Sequence, residues 1–174
     1  TFTYDSREGT TPPQLVINYS SPTAANTAPT ASGTYNMTST DEDTTSAAVQ
    51  ISTILSDAAI TAGDPDGDTL GIAVFDYTGL GNWQYSTDGT GGWTDFGTVN
   101  PNAALLLSET TWVRYVPDGE NGESAGFDFR AWDQSSGTAS ANGSPQFGDT
   151  TSGGGTSAYS TGAANAVLSV APVN

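Results

Sequence analysis

The sequence predicts an all-β fold, an antiparallel β-sandwich, on three observations. Glycine, serine and threonine are abundant while lysine is absent and glutamate is scarce, which favours strands and turns over helices. Four Trp, six Phe and seven Tyr supply the large apolar side chains that a core needs. Short runs of β-forming residues recur with turn signals between them. The 174 residues suffice for one sandwich domain and an appendage.

The runs of β-forming residues give the expected strands. We predict strands at residues 48–55, 69–77, 82–86, 92–96, 103–108, 111–116, 126–132 and 164–170. In the seventh, Phe127, Phe129 and Ala131 alternate with other residues, which indicates one buried face. We expect at most one or two helical turns, around residues 53–62. Residues 134–157 are polar and glycine-rich and predict a long surface loop, either mobile or held by something bound.

The ends of the chain predict its domain organisation. Residues 1–20 contain β-formers after a Pro-Pro turn and are expected to form an extra N-terminal strand without a sheet of its own. Residues 21–32 are rich in Pro, Ala, Thr and Asn and read as a linker, so we place the sandwich at 33–174. The chain begins at Thr1 with neither Met nor a signal peptide, so a matured product or an excised fragment is expected.

The net charge of −16 limits the partners. The chain has nineteen carboxylate side chains and only three basic ones, Arg7, Arg114 and Arg130, so we do not expect it to bind nucleic acid. Bound divalent cations would relieve the self-repulsion, and the excess of Asp over Glu suits calcium sites in loops. Solubility alone is the alternative explanation of the acidity.

The chain lacks several residue types on which catalysis depends. Without Cys, His or Lys there is no thiolate or histidine metal site, no Ser-His-Asp triad and no Schiff-base chemistry. Glycoside hydrolysis by paired carboxylates needs no His, but no such pair is evident. We therefore expect no enzyme activity. No apolar run of about 18 residues is present, so membrane insertion is not expected.

The sharpest local motif is Asp64-Pro65-Asp66-Gly67-Asp68, which has carboxylates at alternate positions of a turn. Calcium takes six to eight oxygens at about 2.3–2.6 Å, and such a loop can supply carboxylates and carbonyls. The motif is not an EF-hand, because its twelfth position is Phe75. The alternative interpretation is an ordinary acidic turn.

Further carboxylates lie near predicted strand ends. Asp41-Glu42-Asp43 precedes the first strand of the domain, and Asp133 ends the strand that contains Phe129. Because strand ends meet at the poles of a sandwich, these groups could share one pole and one ion with the Asp64 loop. Solvated turn carboxylates are the alternative.

Residues 86–93 (STDGTGGW) resemble the Asp-box of sialidases and related propellers, with Thr replacing one Gly. A single copy indicates a hairpin turn in which Asp caps backbone amides and Trp packs beneath. Trp83, Tyr85, Trp93 and Phe96 flank this turn and predict either core packing or an aromatic platform for sugars.

From about Asn26 onward, the chain resembles the cadherin-like repeats of large bacterial surface and RTX-type adhesins. The motifs that carry the resemblance are NTAP at the linker, DEDT, DPDGD, NWQYSTDG, VRYVPDGENG and FRAWDQSSG. The resemblance implies an Ig/cadherin-like β-sandwich, a tandem arrangement and Ca²⁺ near domain junctions. The ligands that it implies are Asn26, Glu42, Asp43, Asp64, Asp66, Asp68 and Asp133.

Residues 1–20, around SREGTTPPQLVINY, instead resemble the closing strand of a DNRLRE-type bacterial surface sandwich. Such a strand would need a sheet, which a neighbouring domain or subunit could provide by accepting the strand.

The sequence thus predicts a non-enzymatic, extracellular, calcium-binding module that serves a bacterial surface protein as a structural or adhesive element, for example in biofilm. One alternative is a filament subunit that polymerises by N-terminal strand donation. A second alternative is a carbohydrate-binding module for surface glycans.

Overall fold

The fold is known from a computed structural model, which describes residues 24–173. Within this range the strands are β1 (Thr30–Asn36), β2 (Thr40–Asp41), β3 (Val49–Gln50), β4 (Ile60–Gly63), β5 (Gly71–Thr78), β6 (Asn82–Ser86), β7 (Thr94–Asp95), β8 (Ala104–Leu107), β9 (Trp112–Val116), β10 (Glu123–Trp132), β11 (Phe147–Gly148) and β12 (Ala164–Ala171). One short helix, α1 (Ile51–Leu55), follows β3. It is far too short to cross a membrane, and no described helix has the required length and apolar character.

The strands form two sheets that pack as a sandwich. The large sheet has the order β11, β8, β5, β10, β12, β1, β4, with β2 pairing farther along β12. The small sheet has the order β3, β9, β6, β7. Neighbours are antiparallel except that β1 and β2 both run parallel to β12. The predicted all-β sandwich is therefore confirmed.

The core between the sheets is aromatic. On β10, Phe127 and Phe129 point inward as the alternation predicts, and both are buried. Trp83 from β6 meets Phe127 edge-on with ring centroids 5.0 Å apart, and Phe96 lies 5.7 Å from the same ring. Aromatic rings prefer such offset and edge-to-face contacts, so these rings pack the two sheets against each other.

The long segment after β10 is tied to the large sheet by its own chain. Ser140 N–H donates to Leu106 O over 2.9 Å, and Leu106 N–H donates to Gln146 O over 3.0 Å. Trp132 points outward from β10, yet it is only 1% exposed because this segment covers it, and its Nε1 donates to Ser136 O over 2.7 Å. The segment predicted to be mobile or held by a bound group is therefore fixed by backbone pairing and a second small core.

Several predicted boundaries differ from the structure. The strand expected at 48–55 is β3 followed by α1, because Ile51 and Ile54 lie one helical turn apart and are both fully buried. β1 begins at Thr30, inside the predicted linker, where Ala28 and Ala31 are small enough to pack closely and are buried. The predicted N-terminal strand at 1–20 lies outside the described residues.

Candidate metal site

The Asp64 loop follows β4 directly and curls around its first side chain. Asp64 Oδ1 accepts hydrogen bonds from Asp66 N–H at 2.8 Å and Asp68 N–H at 3.3 Å. Gly67 has a φ of 81°, which only glycine adopts readily, and its N–H donates to Asp64 O over 3.3 Å. The turn geometry therefore brings the three alternate carboxylates to one side.

These three carboxylates form an all-oxygen cluster. Asp64, Asp66 and Asp68 each have a carboxylate oxygen within 4.8 Å of those of the other two. Asp64 Oδ2 is buried and has no hydrogen-bond partner among residues 24–173. A buried oxygen without a partner costs about 1–3 kcal/mol, more if it is charged, and an oxygen-seeking cation would remove that cost. The donor set therefore fits calcium.

The segment before β1 reaches this cluster and also the end of β10. Asn26 Nδ2 donates to Asp133 Oδ2 over 2.7 Å. The next residue, Thr27, donates its N–H to Asp66 Oδ2 over 2.6 Å. The structure thus brings Asn26, Asp133 and the loop to one end of the sandwich, which we call the Asp64 pole and define by Asn26, Asp64, Asp66, Asp68 and Asp133.

Asp133 is the most buried carboxylate of this pole, at 3% exposed. Its Oδ1 accepts the N–H of Ser135 over 2.8 Å. Gln134 has a φ of 63°, the only positive φ of a non-glycine residue in the described range, and its Nε2 donates to Thr69 O over 2.9 Å. Strained backbone of this kind is held by its surroundings and often lies at binding sites.

Glu42 and Asp43 lie elsewhere, so the prediction of one shared pole is wrong for them. The preceding residue, Asp41, pairs with Ala171 at the far end of β12, whereas Ala164 at the start of β12 pairs with Phe129, toward the end of β10 that leads to Asp133. A rise of about 3.3 Å per residue separates these two ends of β12 by about 23 Å. Any ion at the Asp64 pole is therefore out of reach of Glu42.

Glu42 has an unusual environment of its own. It is 8% exposed, and its Oε1 accepts the N–H of Val173 over 2.9 Å. Within the part of the chain that the structure describes, Glu42 Oε2 and Asp41 Oδ1 are buried and have no hydrogen-bond partner. We call Asp41, Glu42 and Val173 the Glu42 pole. Sequence reasoning placed Asp41 in an acidic cluster but not among the ligands, because the burial of one oxygen leaves no trace in the sequence.

Comparison with protein-family models, with curated proteins and with solved structures finds no match.

Neither described arginine neutralises these carboxylates. Arg114 donates Nε and Nη2 to Gln84 Oε1 at 2.9 and 2.8 Å. Arg130 donates to the backbone carbonyls of Ser160 and Thr161. The negative charge at the two poles is thus not compensated by an arginine of residues 24–173.

The hairpin that resembles an Asp-box forms the turn that the sequence predicts. Asp88 Oδ1 accepts the N–H groups of Thr90 at 2.9 Å and Gly91 at 3.1 Å. These backbone hydrogen bonds, with that of Thr90 foremost, lower the pKa of Asp88 to about 2. The aromatic ring against this turn is that of Trp112, which the backbone of Gly89 contacts. The sequence predicted the ring of Trp93 in this position.

Three residues of the predicted aromatic platform belong to the core. Trp83, Tyr85 and Phe96 are at most 2% exposed, so their rings cannot stack on a sugar. The core interpretation is confirmed for them. Trp93 is half-buried and contacts Arg114, whose Cζ lies 4.0 Å from its ring centroid.

Proposed function

We propose that this chain is a non-enzymatic, calcium-binding β-sandwich module that acts as a structural or adhesive element of a bacterial surface protein. The observation that carries the proposal is Asp64 Oδ2, a buried carboxylate oxygen beside the exposed carboxylates of Asp66 and Asp68, for which the described residues offer no hydrogen-bond partner. A cation in this loop would satisfy that oxygen and reduce the repulsion among the three charges.

Calcium suits the loop better than magnesium. The clustered donors are three carboxylate oxygens, on a segment that is exposed except at Asp64. Calcium tolerates six to eight ligands in flexible geometry, whereas magnesium requires near-ideal octahedra. Calcium sites of extracellular modules bind the ion at about 10⁻⁴–10⁻³ M, and we expect an affinity in this range for an exposed loop.

The Glu42 pole supports a tandem arrangement. At the opposite end of the sandwich it holds two more buried carboxylate oxygens, on Asp41 and Glu42, that no described residue hydrogen-bonds. Leu80 at 70% and Val173 at 49% are two of the three exposed large apolar side chains among the described residues, and both lie on this side. Leu80 lies at this end because its N–H donates a hydrogen bond to the carboxylate of Glu123, which pairs with Val170 near the end of β12. A neighbouring domain that met this end would cover apolar surface and bring cations to the carboxylates.

Thermal melting with calcium or with a chelator tests the calcium proposal. A free Ca²⁺ concentration of about 100 Kd should stabilise the fold by about 2.7 kcal/mol. For a domain of this length, that corresponds to a rise in Tm of about 5–10 °C. Asp64→Asn should abolish most of the rise.

The matched control is Asp149→Asn, which removes the same charge from another exposed turn, where Asp149 Oδ1 caps the N–H of Thr151. This variant should keep the full calcium response. A Tm of the wild-type protein that is equal in calcium and in chelator would disprove the proposal, as would an equal loss of response in the two variants.

A further inference from the structure

The outer face of the small sheet carries a cluster of aromatic and planar polar side chains that no part of the core uses. Gln84 lies between Arg114 on β9 and Asp95 on β7 in the register of the sheet. Two residues along β6 and β9 from the pair of Gln84 and Arg114, Ser86 pairs with Trp112. Trp93 immediately precedes β7. We call Gln84, Trp93, Asp95, Trp112 and Arg114 the Trp93 face.

Hydrogen bonds fix the geometry of the Trp93 face. Gln84 Oε1 accepts both Nε and Nη2 of Arg114, and Gln84 Nε2 donates to Asp95 Oδ1 over 2.8 Å. The Cζ atom of Arg114 lies over the Trp93 ring, 4.0 Å from the ring centroid. A ligand would therefore meet side chains that are already ordered, which lowers the entropy cost of binding.

Side chains of the Trp93 face remain accessible to a ligand. Trp93, Trp112 and Arg114 are all half-buried and remain in contact with solvent. Arg114 has a neutral amide as its partner and no carboxylate partner among residues 24–173. Desolvation lowers the pKa of the Arg114 guanidinium.

Charge decides among the partners that such a face could take. The chain carries −16, so a polyanion or a second copy of this chain would be repelled. An apolar protein surface would bury the polar groups of Gln84, Asp95 and Arg114 without partners, which is costly. A neutral sugar polymer is not repelled by the negative charge, and its hydroxyls can donate to Asp95 and accept from Arg114. Its C–H faces can pack against the indole rings.

We propose that the Trp93 face binds a neutral polysaccharide. The binding site is on the side of the sandwich and includes no residue of the Asp64 or Glu42 pole, so this inference is independent of the calcium proposal.

Native gel electrophoresis with polysaccharide in the gel tests it. The probes are hydroxyethyl cellulose, laminarin and dextran, with alginate as the acidic polymer, all in one calcium-containing buffer. At least one neutral polymer should retard the wild-type protein, and Trp93→Ala should weaken that binding about tenfold, the loss of one ring contact. Trp93→Phe should restore part of the binding because it keeps an aromatic ring.

The control variant is Phe147→Ala, which removes an aromatic side chain that is 45% exposed on β11 of the large sheet. It should bind like the wild type, and the Tm of each variant shows that the fold is intact. Wild-type mobility unchanged by all three neutral polymers, retardation by alginate alone, or equal retardation of folded Trp93→Ala and wild type would each overturn the proposal.

Discussion

Asn26 Nδ2 donates a hydrogen bond of 2.7 Å to Asp133 Oδ2 across 107 residues of sequence. The bond joins the segment before β1 to the end of β10, and Asn26 Nδ2 also lies 3.3 Å from Ser157 O. Because Asp133 is almost fully buried, its carboxylate depends on this amide and on Ser135 N–H for the hydrogen bonds that replace water.

Asn26→Ala should therefore destabilise the fold. It leaves a buried charged oxygen without one of its partners, and the expected loss in the free energy of unfolding is about 1–3 kcal/mol. Urea unfolding in chelator measures the loss without any contribution from calcium. Asn102→Ala, at an exposed position, is the control and should change little. Equal stability of the two variants would contradict the structural role of the bond.

Asp128 and Asp76 lie directly opposite each other on β10 and β5, where like charges repel. Burial and then the charge of Asp76 raise the pKa of Asp128. The charged carboxylate therefore disfavours the folded state at neutral pH, and the penalty disappears as pH falls below the ordinary value of 3.8. Asp128→Asn should stabilise the protein by about 0.2–1 kcal/mol at neutral pH and by nothing in strong acid. Melting curves across pH measure the difference.

Asp149→Asn is the control of opposite sign for that experiment. Hydrogen bonds from the Thr151 hydroxyl and N–H lower the pKa of Asp149, so its charged form favours the folded state. Its substitution should not stabilise the protein at any pH. If Asp128→Asn lowers the neutral Tm, repulsion between the two strands does not control the environment of Asp128.

Asp88 predicts a stability change in acid. Its folded pKa, about 2, lies below the ordinary value of 3.8 because backbone N–H groups donate to the carboxylate. The contribution of Asp88 to stability is thus complete above the ordinary pKa and is lost as pH falls toward the folded value. The Tm difference between wild type and Asp88→Asn should be constant near neutrality and shrink between about pH 4 and pH 2. If the Tm difference stays the same below pH 2, the charge of the Asp88 carboxylate does not stabilise the turn.

The sequence was sufficient to predict the strands with strong patterns. β6 lies at the predicted residues, and on β10 the inward positions of Phe127 and Phe129 follow the alternation. Strands with little alternation of buried and exposed positions escaped prediction. In β1 the one buried residue is Ala31, and β11 has only two residues, so neither shows the periodicity on which sequence reasoning depends.

The site could be predicted only in part. The curl of the Asp64 loop follows from local turn chemistry, because Asp side chains readily accept nearby backbone N–H groups. The position of Glu42 depends on β2 pairing in parallel with the end of β12, a contact between residues that are far apart in the sequence. Burial of the orphaned oxygens on Asp41 and Glu42 is likewise a product of tertiary packing.

The described sheet edges predict the behaviour of the chain in solution. The edge strand β4 has four residues, and β3, β7 and β11 have two each, so these edges expose few unpaired backbone groups to a donated strand. Together with a net charge of −16, which repels other copies, this favours a monomer. Size-exclusion chromatography of the full chain and of a variant without residues 1–20 should therefore show monomers in both cases, in calcium and in chelator. Polymers formed by the full chain and lost on truncation would instead favour the filament alternative, in which one subunit completes the sheet of the next.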